Sequence, residues 1–104
     1  MDDTPESYSV KMFERARRDL SDIYHYIANT LQEPGIAMNM VDKIENAILS
    51  LDIMPHRCPT RKAGAYANKG YRQLFVGNYI VIFRIDEAQK NVLVVTVRYS
   101  SIQF

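Results

Sequence analysis

From Pro55 to Ile85 the chain carries Arg57, Arg61, Lys62, Lys69, Arg72 and Arg84 and not one Asp or Glu. A surface built from that run has a positive field suited to phosphates or to an acidic protein; the plainer alternative is a solvated loop whose charge only keeps the chain soluble. The imbalance extends to the whole sequence. Residues 1–54 hold five basic side chains, three of them Arg15, Arg17 and Arg18, against ten acidic ones, whereas residues 55–104 hold eight against Asp86 and Glu87. The net charge of +1 therefore conceals an acidic half and a basic half. Within or beside the basic run stand further groups able to do chemistry. A histidine, with an unperturbed pKa of about 6.5, suits proton transfer near neutrality, which makes His56 a candidate, although an exposed loop histidine is the simpler reading. Arg98-Tyr99 places a cation beside a phenol. Tyr71, Tyr79 and Tyr99 can stack on bases, or pack a sheet with their hydroxyls at its rim. Arg72 is the leading candidate, because an arginine within a strand and far from acids in sequence must find a partner or face a ligand.

Other chemistries are disfavoured. Cys58 is the single cysteine, and with only His25 and His56 beside it no metal-ligand spacing exists; a buried thiol is expected, and no cofactor. The acidic Asp2-Asp3 opening differs from a signal peptide, and no run approaches the roughly 18 apolar residues of a membrane span, so a cytoplasmic protein with no membrane partner is expected. His25, Arg17 and Arg18 fall off the apolar stripe of the first helix and should be solvated.

The elements that position these groups follow from apolar periodicity. The 104 residues suffice for one compact domain, 1–104. Tyr8–Phe13 alternates as a first strand. From Glu14 to about Gln32, Ala16, Leu20, Ile23, Ile27 and Leu31 recur at steps of three and four, which predicts an amphipathic helix. Pro34 suits the first turn of a second helix, whose stripe of Ala37, Met40, Val41, Ile44, Ala47, Ile48 and Leu51 must stop near Met54, ahead of Pro55. The basic loop runs to about Lys69. Three strands follow, Tyr71–Val76, Tyr79–Ile85 and Val92–Tyr99, rich in Val, Ile, Tyr and Phe. Gly77-Asn78 supports a tight turn between the first two, and Asp86–Asn91 a longer polar one. The order β-α-α-β-β-β predicts an α+β fold, with a helical hairpin laid on one face of a mainly antiparallel four-stranded sheet.

These strands are apolar on both faces. Tyr79, Val81, Phe83 and Ile85 occupy one side of their strand, with Ile80, Ile82 and Arg84 on the other; in the last strand Val94 opposes Leu93, Val95 and Val97. Two helices cover one face. The second requires a partner protein, or a cover made by the basic loop or by Ile102 and Phe104.

The chain resembles the RelE/ParE superfamily of toxins. The resemblance rests on Tyr8-Ser9-Val10, on Ala16, Asp19, Leu20, Ile23, Tyr26 and Ile27 of the first helix, and on Ile48-Leu49-Ser50-Leu51 with Pro55 closing the second. It continues through Gly70-Tyr71-Arg72, Asn78 to Ile85 and Val94 to Tyr99, spanning nearly the whole chain. It implies the toxin of a bacterial type II toxin–antitoxin pair, bound in a hetero-oligomer by a cognate antitoxin whose flexible segment orders across Leu74, Ile80, Ile82, Val95 and Val97.

The superfamily implies two activities. RelE-like members cleave messenger RNA on the ribosome without a metal, using the substrate's own 2′-hydroxyl while the protein supplies acid, base and positive charge. Their pattern of cations along the first meander strand and after the next strand's Tyr is met here only by Arg72; Leu74 and Ile80 stand at the other positions, and Ser100-Ser101 follow Arg98-Tyr99. The catalytic candidates are thus Arg72, Arg98, Tyr99 and His56. ParE-like members bind and inhibit DNA gyrase through basic residues on the meander and toward the C-terminus, a branch this chain resembles more. Target- or phosphate-binding residues are expected among Arg57, Arg61, Lys62, Lys69, Arg72, Arg84 and Arg98. A degenerate toxin that only binds its antitoxin is the third reading.

Overall fold

A computed structural model describes residues 6–101. The elements are β1 (Ser9–Met12), α1 (Glu14–His25), α2 (Pro34–Leu49), β2 (Arg72–Val76), β3 (Tyr79–Asp86) and β4 (Asn91–Tyr99). The helical hairpin packs on one face of a four-stranded sheet of order β1-β4-β3-β2. The three meander strands pair antiparallel and β1 joins β4 in parallel, so the sheet is mixed at that edge.

The helices follow their stripes, and their ends are shaped locally. Ala16 and Leu20 of α1 and Ala37, Ile44 and Ile48 of α2 are buried. Where one helix was expected to reach about Gln32, α1 stops at His25 and widens into a π-helical turn, Tyr26–Thr30, closed by Leu31 N–H donating to Tyr26 O over 3.1 Å. Such turns admit an extra residue without breaking the helix. Pro34 occupies the first turn of α2 as its missing N–H favours. That helix tightens into a 3₁₀ turn at Ser50–Asp52, and Met54 takes a left-handed φ of 50° ahead of Pro55. The α conformation is disfavoured before a proline, so the chain leaves the helix here.

Gly77 has φ 57° while Asn78 stays out of the positive-φ region, the pattern of a type II′ hairpin turn. The core lies between hairpin and sheet, with Phe83, Val81, Val92 and Val94 at 0% exposure beside Ile44 and Leu51. Cys58 is free and buried, as its type suggests.

One feature of β4 escapes alternation. Ile82 pairs with Thr96 and Phe83 with Val94, leaving Val95 as the extra residue of a β-bulge. The bulge shifts the side-chain alternation by one position, so Val97 joins Val94 in the core instead of opposing it. Leu74, across from Val81, also packs against the core side. The single face expected to hold Leu74, Ile80, Ile82, Val95 and Val97 is therefore divided: Leu74 and Val97 face the helices. Ile80 and Ile82 lie on the opposite face but are only 3% and 0% exposed. Part of the basic loop borders that face, since Thr60 bridges to Arg72 and Arg61 Nη1 donates to Gln73 Oε1 across 2.9 Å. Ile102 and Phe104 lie outside the described residues.

Candidate functional site: the open face of the sheet

Cross-strand register assigns the face turned away from the helices. Lys11 pairs with Leu93 and Leu93 with Arg84; Thr96 pairs with Ile82 and Ile82 with Gln73; Arg98 pairs with Ile80 and Ile80 with Phe75. Side chains at directly paired positions share a face, so this face carries Lys11, Arg84 and Arg98, with Arg61 at its margin. Arg84 and Lys11 are exposed. Arg98 is held by its own strand, its Nε donating to Thr96 Oγ1 at 3.0 Å. Phe75 is 57% exposed, unusual for a phenylalanine in a strand.

The edge of the sheet beside Arg98 is anchored from α1. Past Val94 the strand β4 has lost β1 as neighbour, because the chain turns at Phe13 into α1. Asp19 Oδ2 takes the place of a strand partner there, accepting from Val97 N–H at 3.0 Å and from Thr96 Oγ1. An otherwise orphaned edge donor and a fully buried hydroxyl are satisfied by one carboxylate. Next to it opens a cleft of ≈ 630 Å³ lined by Ile23, Tyr26, Leu31, Met40, Tyr79 and Tyr99, among others. The Tyr79 and Tyr99 rings meet edge to face at 5.5 Å, and burial pushes the Tyr79 phenol up in pKa.

A second polar constellation sits at the far end of β4. Glu87 accepts from Tyr8 Oη at 2.9 Å and Lys90 Nζ at 2.7 Å, and its Oε1 is 2.7 Å from His56 Nε2. Lys90 also reaches Glu6 at 3.1 Å and lies over the Tyr8 ring. The Lys90 and Tyr8 hydrogen bonds hold the Glu87 carboxyl below its ordinary pKa, and Lys90 is raised in return by Glu87 and Glu6. Burial, then Glu87, raises Tyr8. This network ties the turn after α2 to the β3–β4 connection.

The four catalytic candidates do not meet as a set; only Arg72 and His56 adjoin, through the His56 carbonyl. Arg72 pairs with Phe83 and so lies on the helix side, where its Nη1 donates to Cys58 O at 2.7 Å and His56 O at 3.4 Å. The arginine has found its partners in carbonyls of the turn at residues 55–58, a structural tie that was not foreseen. Arg98 is on the opposite face. His56 belongs to the Glu87 network near Asn91, while Tyr99 is at the other end of β4, roughly 26 Å away at the usual rise per strand residue. A general acid, a general base and a charge clamp must lie within a few ångströms of one reacting phosphate; these residues do not.

The remaining cations divide as well. Arg57 donates to Ile53 O, Met54 O and Ser50 Oγ, closing the end of α2. Lys62 and Lys69 are exposed on the loop, while Arg61 also donates to Ala63 O. Lys11 and Phe75 on the open face, and the organising contacts of Asp19 and of the Glu87–Lys90 pair, were not among the expected site residues. Only Asp19 had been singled out at all, within the family pattern. Among the described residues no group of three His, Cys, Asp or Glu side chains is placed to hold a metal, and no helix is long and apolar enough to cross a membrane.

A helical hairpin on one face of a four-stranded mixed sheet is the architecture of ParE and RelE toxins. The family model of ParE toxins of type II toxin–antitoxin systems matches residues 10–104, and the chain belongs to that family. Among solved structures it is similar to a chain of the chromosomal ParDE system from P. aeruginosa, at TM-score 0.72 and 23% identity over 90% of this chain and 97% of that one. It is also similar to a chain of the RelBE2 toxin–antitoxin complex from Mycobacterium tuberculosis, at TM-score 0.63 and 26% identity over 94% and 97%. A chain of the archaeal RelE–RelB complex from Pyrococcus horikoshii OT3 shares the fold at TM-score 0.57 and 13% identity over 90% and 96%. No curated protein sequence matches the chain.

Proposed function

We propose that this toxin acts by binding its target rather than by cutting it, and that the target is DNA gyrase. The observation that supports the reading is the separation of Arg72 and His56, at one end of the sheet, from Arg98 and Tyr99 at the other. Arg72, the cation best matched to the ribonuclease pattern, is engaged with backbone carbonyls. Arg84, exposed on the open face, is the leading target contact, with Arg98 on the same face.

A cognate antitoxin neutralises the toxin in a hetero-oligomer. Its contacts draw on the half-exposed Val95 and the cleft beside Tyr99, since Ile80, Ile82 and Val97 are already buried within the chain. The solved relatives named as toxin–antitoxin complexes support this partner.

Purified toxin is assayed in parallel for inhibition of gyrase supercoiling and for messenger cleavage in a reconstituted translation reaction, with Arg84→Ala in both. Supercoiling blocked by the native chain, relieved by the substitution, and an intact messenger are the expected results. Cleavage at the ribosomal A site overturns the reading in favour of a RelE-like ribonuclease. Silence in both assays leaves an inactive antitoxin-binding module.

A further inference from the structure

The second helix carries more apolar surface than the core uses. Ala37, Ile44 and Ile48 of α2 are buried, yet Met38, Val41, Glu45 and Leu49 form another stripe at steps of three and four, and Met38 and Leu49 are 51% and 63% exposed. A helix that only has to cover a sheet is polar outside its core stripe, so a second apolar stripe marks a contact surface. It borders a groove. From α1, Arg17, Ser21 and Tyr24 line the other side, again at steps of four and three, while Leu20 and Ile48 make the floor.

The charges of this groove suit a copy of the same chain. Arg17 and Glu45 border both of its hollows, the one beside Leu49 and the one beside Met38, whereas Lys11 stands only at the Leu49 end. Both are exposed, and among the described residues neither side chain has an ion-pair partner. One wall is thus positive and the other negative. Such a pattern complements itself after a half-turn about an axis along the valley between the helices, which lays α1 against α2 of the second copy and α2 against its α1. Each pair is antiparallel, as in an up-down four-helix bundle. Arg17 then faces Glu45 of the partner subunit at two symmetric places, and Tyr24 faces Met38 of the partner subunit, a ring against a thioether. The size is adequate. With 16 residues α2 is about 24 Å long, and two helices side by side are about 20 Å wide. Pairing such faces removes on the order of 1,000 Å² from water, the lower end for a specific contact and suited to a weak, reversible dimer.

We propose that two copies of the chain associate through this face, in a two-fold four-helix bundle that buries Met38, Val41 and Leu49 and is set in register by reciprocal Arg17–Glu45 pairs. The apolar stripe supplies the affinity, and the exposed ion pairs choose the orientation. The open face of the sheet and the cleft beside Tyr99 lie outside the paired stripes, so the dimer stands whichever target the toxin inhibits.

The test is sedimentation velocity of the purified full chain from about 1 to about 200 µM, where a monomer–dimer transition with a dissociation constant of roughly 1–100 µM is expected. Arg17→Glu and Glu45→Arg each set like charges against one another at two places, and each raises that constant at least about tenfold. Equimolar mixing of the two variants restores the native transition, because opposite charges then meet between unlike copies. Met38→Gln, at an already exposed position, also weakens the dimer. Lys43→Glu, on the side of α2 beside Gly77, leaves it unchanged. Circular dichroism confirms that each variant is folded. A native chain that stays monomeric over the whole range overturns the proposal, as does a dimer indifferent to both charge reversals. Loss of the dimer in both variants without recovery on mixing overturns it too, since the two charges would then act within one chain.

Discussion

The two faces of the sheet are built from similar apolar residues and differ in what surrounds them. On the helix side, Val81, Phe83, Val92 and Val94 are sealed at 0% exposure, and Arg72, the cation of the described strands on that side, donates to backbone carbonyls. On the open side Ile80 and Ile82 are nearly as buried, but the rows around them end in Lys11, Arg84, Arg98 and an exposed phenylalanine. Apolar content therefore does not separate the core face from the open one. The difference lies in what flanks the apolar residues: more core on one side, exposed cations and an exposed ring on the other.

Matched substitutions on the two faces sharpen that contrast. Phe83→Ala is expected to lose about 3–5 kcal/mol of stability in urea denaturation, since it empties a fully enclosed site, whereas Phe75→Ala should change it by less than about 0.5 kcal/mol. A large loss at Phe75 would mean that the open face is a second core. Asp19→Ala comes next: it strips the acceptor from Val97 N–H and from the buried Thr96 hydroxyl, at a cost of about 1–3 kcal/mol by the same measurement. Equal stability in the variant would show that water replaces the carboxylate at the edge of β4.

Arg72→Ala and Arg84→Ala form the third pair. The first should cost about 1 kcal/mol through its lost carbonyl contacts while leaving the residual folded toxin active. The second should leave stability unchanged and abolish target inhibition. The reverse pattern would return Arg72 to the working site. The smallest effect concerns pH. Glu87 has its pKa lowered in the folded chain by Lys90 and Tyr8, so its contribution is present above the ordinary carboxylate value of 4.5 and fades as pH falls through the lower folded value. Glu87→Gln should lower Tm slightly at neutral pH and flatten its decline on acidification, with the effect kept small by solvent around this half-exposed group.

Most of the fold was legible in the sequence because each element carries its own period. The stripe from Ala37 to Leu51, Pro34 at a helix start and Gly77-Asn78 at a hairpin are local signals with local physical causes. Two kinds of feature were not legible. The bulge at Val95 inserts one residue into a strand whose composition, a run of valines, gives no sign of it, and it transferred Val97 from one face to the other. The partners of charged residues were hidden by distance along the chain: Asp19 meets Val97 across 78 positions and Tyr8 meets Glu87 across 79. Arg72 looked unpaired because no acid lies near it in sequence, yet a carbonyl serves as well as a carboxylate. The basic run drew attention to Arg84, and Lys11 joins it on the same face from the acidic half.

Whether this toxin binds or cuts is decided most directly by counting turnovers. Toxin is titrated against a fixed amount of its target, gyrase or programmed ribosomes, and the number of targets inactivated per toxin molecule is measured at completion. Stoichiometric inactivation that saturates at or below one target per toxin, reversed when antitoxin is added, is the result expected of a binding face built on Arg84 and Arg98. Many targets consumed by each toxin would contradict it, and would require a catalytic centre that the dispersal of Arg72, Arg98, Tyr99 and His56 does not provide.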